Sequence, residues 1–114
     1  MKNETVYLDH IIECIDWIER YAAEGKEVFL RDRKTQSAVL REIQTLAEST
    51  QRLSDDLKNA HAEILWQAIA GLRNVLVHDY LGIKVERIWE IIQRDIPPLR
   101  RAIESMRAKR EGPG

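Results

Sequence analysis

The sequence predicts an all-α protein, an up-and-down bundle of four to five helices joined by short links. Three observations carry that expectation. Apolar residues recur at spacings of three and four through most of the chain, no segment shows strand alternation, and neither a repeat nor a low-complexity tract interrupts the pattern. At 114 residues the chain is long enough for one core, expected to span residues 1–110, with 111–114 as a frayed tail.

The first helix is expected from about Glu4 to Ala23, where Val6, Leu8, Ile11, Ile12, Cys14, Ile15, Ile18 and Tyr21 set the period and Glu24-Gly25 ends it. His10 shares a face with Cys14 and reads as a helix-face histidine. Val28-Phe29-Leu30 is an apolar patch too short for a sheet of its own, expected to tuck under the next helix. Asp32 or Thr35 caps a second long helix to about Leu53, with Ala38, Val39, Ile43, Leu46 and Ala47 facing inward.

Ser54-Asp55-Asp56 reads as a cap and acidic first turn of a short segment to about His61, which is expected at the surface. From about Glu63, Ile64, Leu65, Ile69, Leu72, Leu76 and Val77 mark another amphipathic helix, with Trp66 as a packing anchor and Gly82 as its stop. Val85, Ile88, Trp89 and Ile92 mark the next one. Asp95 before Pro97-Pro98 looks like the cap and first turn of a last helix, with Leu99, Ile103 and Met106 inward. Its Arg100, Arg101, Arg107, Lys109 and Arg110 form a dense basic run that is either a solvated face or a contact for RNA phosphates.

Composition bounds the function. Hydrophobic residues at 44% and charged residues at 32% fit a soluble globular protein, no stretch approaches a membrane span, and the N-terminus lacks a signal-peptide pattern, so a cytoplasmic location is expected. One cysteine excludes an internal disulfide and a cysteine-based zinc site. His10, His61 and His78 fall on different expected elements without ligand spacing, so neither metal nor cofactor is expected. No serine adjoins a histidine as a nucleophilic pair would need. A net charge of -1 argues against broad capture of nucleic acid but leaves room for RNA in a local cleft.

The polar groups concentrate in Gly71-Leu-Arg-Asn-Val-Leu-Val-His-Asp-Tyr80. On a helix Asn74 and His78 share a face, whereas Arg73 and His78 stand roughly 140° apart around the axis and about 7.5 Å apart along it. Either the helix loosens near His78 or a second copy of the chain completes the site.

Arg73, Asn74, His78, Asp79 and Tyr80, with Trp66 and Gly71 before them, resemble the R-x4-H-x-Y signature of HepT-like toxins in the HEPN superfamily. The likeness runs from Leu8-Asp9-His10-Ile11 to Asp95-Ile96-Pro97-Pro98-Leu99. It departs at Leu46-Ala47-Glu48-Ser49, where relatives often carry a Gly-Glu-Ala-like sequence, and in lacking a proline before Trp66. It implies a toxin of a type II or type VII toxin-antitoxin system, a metal-independent endoribonuclease with an Arg/His site shared across a homodimer. It also implies a partner nucleotidyltransferase that uses ATP to adenylylate Tyr80 and so neutralises the toxin.

The residue chemistry is compatible with that. His78 can move a proton near neutral pH, the forked donors of Arg73 fit phosphate oxygens, and Asn74 can orient the imidazole or bind phosphate. Glu48 either holds the Arg73 guanidinium or is a solvated surface glutamate. Asp79 is a supporting candidate. A catalytically inactive binding module that partners a nucleotidyltransferase is the alternative function, and a helical dimerisation domain is a third.

Overall fold

The computed structural model describes residues 4–78 and 84–111, with residues 74–78, 110 and 111 described in backbone only. Every regular element among them is helical, in the order α1 (Thr5–Ala22), α2 (Lys26–Arg31), α3 (Arg33–Thr50), α4 (Asp55–Asn59), α5 (Trp66–His78), α6 (Val85–Glu90), a π-helical turn (Ile91–Asp95) and α7 (Ile96–Glu111). The all-α bundle is therefore as expected.

α1 and α3 pack along their lengths and α7 lies against α1. The period of three and four puts Leu8, Ile11, Ile15 and Ile18 of α1 against Val39, Ile43, Leu46 and Ala47 of α3, all fully buried. Leu99, Ile103 and Met106 of α7 complete that core as the sequence predicts. Val6 does not. It stands 60% exposed at the first turn of α1, where it lines an open cleft with α3.

Between α1 and α3, Gly25 takes a φ of 98°, a left-handed conformation that suits glycine and reverses the chain into α2. The apolar patch around Phe29 thus forms a short helix. Phe29 is buried under α3 and meets the Trp89 ring of α6 at 5.4 Å between centroids. Asp32 caps α3 through the backbone N–H groups of Lys34 and Thr35, and the Thr35 hydroxyl donates to it at 2.7 Å. These bonds, the hydroxyl first, hold its carboxyl below the usual range. Ser54 caps α4 as expected, accepting from the Leu57 N–H, and its own N–H reaches Glu4 Oε1 at 2.6 Å. That bond ties the start of α4 to the start of α1.

Two boundaries differ from expectation. α5 begins at Trp66 rather than near Glu63, so Ile64 and Leu65 precede it; Ile64 is buried while Leu65 is 75% exposed. The last two expected helices are one path. Instead of a break with Asp95 as a cap, the π turn joins α6 to α7 and the Ile96 N–H bonds to the Ile91 carbonyl. Pro97 and Pro98 have no N–H to give and their rings crowd the preceding turn's carbonyls; the wider π turn absorbs both demands without ending the helix. The path from Val85 to Glu111 spans roughly 40 Å at the rise of an α-helix. Lys84, in extended conformation, precedes it. The expected stop at Gly82 and most of the expected tail, 112–114, lie outside the described residues.

Candidate functional site

α5 is helical from Trp66 through His78, so the backbone does not loosen before His78. Trp66 fixes its start. Its indole N–H is shared between the carbonyls of Lys58 and His61, at 3.0 and 3.1 Å, while the ring packs half-buried on the core. This is the anchoring role expected of Trp66, with the polar edge satisfied by the α4 connection. Ile69 and Leu72 face the core and Gly71 has open space where a Cβ would stand, so no close approach requires that glycine.

Arg73 follows Leu72 and is exposed. The side chains of Asn74 and His78, and all of Asp79 and Tyr80, lie outside the described residues. On the helical backbone, positions 73 and 78 are five residues apart, roughly 140° around the axis.

Glu48 is exposed on α3, and among the described residues it makes no ion pair with Arg73. It lines a cleft of about 510 Å³ between α1 and α3, with Tyr7, His10, Thr45, Ser49 and Arg52. There the ring Nδ1 of His10 is 2.8 Å from Ser49 Oγ, and its Nε2 is 4.0 Å from Cys14 Sγ. Cys14 is only 2% exposed, and burial, reinforced by Glu42 and Glu13, pushes its thiol up to about 12. It is the inert core cysteine the sequence predicts.

His61 departs from its surface reading. Its side chain is 12% exposed, and its Nδ1 is 3.3 Å from Glu63 Oε2. The Glu63 carboxyl is held below its usual range by its own backbone N–H first and by His61 second.

Two residues of the basic run on α7, Arg100 and Arg107, are committed to scaffold. Arg100 meets Asp16 at 2.9 Å, Glu19 at 3.1 Å and Glu104 at 3.3 Å, and Arg107 meets Asp9 at 3.0 Å. The seven-residue spacing of Asp9 and Asp16 matches that of Arg100 and Arg107 on the antiparallel α7. Burial works against the Arg100 charge, and the Asp16, Glu19 and Glu104 carboxylates outweigh it, raising its pKa. Of the run, Arg101 and Lys109 are exposed.

Two arginines that the sequence reading passed over stand elsewhere. Arg87 on α6 and Arg94 in the π turn line a groove of about 220 Å³ beside α5, whose floor includes Ile64, Leu65, Ala68, Leu72 and Pro98. Their seven-residue spacing was visible in the sequence. What faces them was not.

Comparison with known proteins follows the same chain almost end to end. The family model described as ribonuclease HepT-like matches residues 11–106. A probable ribonuclease HepT of Thermococcus cleftensis is 38% identical over 102 residues, covering 89% of this chain and 93% of that protein. A putative RNase of Caldanaerobacter subterraneus subsp. tengcongensis is 33% identical over 110 residues, covering 96% and 98%. A Methanocaldococcus jannaschii protein, named gamma-glutamylcyclotransferase and putative RNase, is 32% identical over 103 residues, which cover 90% of this chain and 46% of that one. No solved structure matches the chain.

Proposed function

This chain belongs to the ribonuclease HepT-like family, and from that premise we propose that it is a metal-independent endoribonuclease whose site is shared across a homodimer. The observation that carries the reading is the exposure of Arg73 on a helix that continues unbroken to His78. On such a helix the two residues of one chain diverge, so Arg73 of one protomer works with His78 of its partner. His78 takes the proton of a ribose 2'-hydroxyl or returns one to the leaving oxygen; the O2'–P bond forms as the P–O5' bond breaks. Arg73 binds the charge that develops on the phosphoryl oxygens, and Asn74 orients the imidazole from the same face as His78. Asp79, the residue after His78, supports the site from its edge.

In the cell the protein acts as the toxin of a toxin-antitoxin pair. A partner nucleotidyltransferase transfers an adenylyl group from ATP to the hydroxyl of Tyr80, two residues beyond His78; the phenol oxygen bonds the α-phosphorus and loses its proton as pyrophosphate leaves. The added phosphate and nucleotide engage the site's cation and fill the RNA cleft.

The test is RNA cleavage by the purified protein in excess chelator, beside His78→Ala, with intact mass showing that Tyr80 is unmodified. Cleavage by the wild type and none by the variant is expected. An unmodified dimer that leaves a broad set of RNAs intact overturns the reading in favour of a binding module. Co-expression with the transferase and ATP is expected to add an adenylyl group to the wild type and none to Tyr80→Phe.

A further inference from the structure

α5 rests chiefly on α3, and its other flank borders the groove formed with α6, the π turn and α7. Three features of that groove go together. Its floor is apolar and open, with Leu65 75% exposed beside Ala68 and Pro98. Among the described residues, Arg87 and Arg94 have no carboxylate partner, although Arg100 and Arg107 further along the same helical path do. And the groove reaches Leu72, the residue before the exposed Arg73.

We propose that this groove is a subsite for single-stranded RNA, in which Arg87 and Arg94 bind successive backbone phosphates and the Leu65–Ala68 floor receives the bases. This rests on the ribonuclease reading and extends it by naming where the strand lies outside the cleaved bond. A guanidinium suits the place because its planar fork binds phosphate oxygens in pairs and its face stacks on a base. The floor is aliphatic, so it packs against the face of any base without reading a base edge, and the groove gives little sequence preference. Glu63 and Asp95 also line the groove. Glu63 is exposed with its carboxylate 3.3 Å from His61, and Asp95 is half-buried in the π turn, so the phosphates are assigned to the two exposed arginines and not to the groove as a whole. At about 220 Å³ the groove has room for a base. The π turn sets the presentation of Arg94, since an inserted turn redirects the side chains it carries.

The experiment uses the full-length dimer and a fluorescein-labelled single-stranded RNA with 2'-O-methyl riboses, which cannot be cleaved by attack of the 2'-oxygen. Affinity is measured over a range of salt concentrations for the wild type, Arg87→Ala, Arg94→Ala, Leu65→Asp and, as a control cation outside the groove, Arg101→Ala. Each of the first two arginine variants is expected to weaken binding about tenfold and to reduce the slope of log affinity on log salt by about 0.7, the release expected for one phosphate on a single strand. Leu65→Asp should weaken binding without reducing the slope through a lost phosphate contact. All three residues are exposed, so circular dichroism and dimer mass should be unchanged. With unmodified RNA, the arginine variants should raise KM and leave kcat within about twofold. Affinity and slope equal to wild type in both arginine variants overturn the proposal, as does loss of the dimer instead of RNA binding, which would make the groove a protein interface. Binding through these arginines without cleavage of ordinary RNA would keep the subsite and remove the ribonuclease reading.

Discussion

The α1–α7 face and the open flank of α5 use the same residue types to opposite ends. On the first, Arg100 and Arg107 stand opposite Asp16, Glu19 and Asp9, over a floor of fully buried Leu8, Ile15, Leu99 and Ile103. On the second, Arg87 and Arg94 border a groove whose floor includes an exposed leucine. An arginine among carboxylates is scaffold, and one left without them is available to a ligand. A basic run in a sequence does not say which of the two it is.

That contrast is broken most decisively by an activity measurement. Arg73→Ala is expected to lower kcat for RNA cleavage by about 10²–10³-fold if Arg73 binds the phosphate as proposed, while leaving the thermal midpoint near wild type because its guanidinium is exposed. A large loss of stability instead would place Arg73 with the scaffold. On the closed side the order reverses. Ile43→Ala, at a fully buried position, should cost about 3 kcal/mol in urea unfolding through lost burial and the cavity left behind.

Cys14 sharpens the same side through pH. Its folded thiol lies at about 12 against an ordinary 9.0, so the folded state holds the proton more tightly than the unfolded chain. Its contribution is therefore fully present below pH 9 and is lost as pH rises toward 12. Stability followed from pH 8 upward should fall in that window, less so in Cys14→Ala, and the native thiol should react with iodoacetamide far more slowly than the urea-unfolded one.

Smaller effects are expected at the ion pairs. Arg100→Ala should cost no more than about 1 kcal/mol, shrinking with added salt, because its partners are roughly half exposed and solvent screens them. A cost several times larger would mean that the α1–α7 face depends on its charges more than on its apolar floor. Leu65→Ser should change stability least, within about 0.5 kcal/mol, since the leucine is already in water. A clear destabilisation there would close the flank that the comparison treats as open.

What the sequence by itself determined is whatever depends on neighbours along the chain. The period of three and four placed the core of α1, α3 and α7, Asp32 and Ser54 announced the starts of α3 and α4, and Gly25 marked a turn that needs a positive φ. The helix carrying positions 73 to 78 was legible in the same way, while the side chains from Asn74 to Tyr80 lie outside the described residues. What only the tertiary structure decided depends on which helix stands opposite. Pro97-Pro98 reads locally as a break, yet packing on α1 keeps Val85 to Glu111 on one path and a π turn absorbs the missing N–H groups. Arg100 and Arg94 carry the same side chain, and carboxylates on α1 commit only the first. Leu65 and Ile64 are adjacent apolar residues, and one is buried while the other faces the groove. Local pattern sets the face a helix offers; the surroundings of that face are set by contacts between residues far apart in the chain, which no short window of sequence contains.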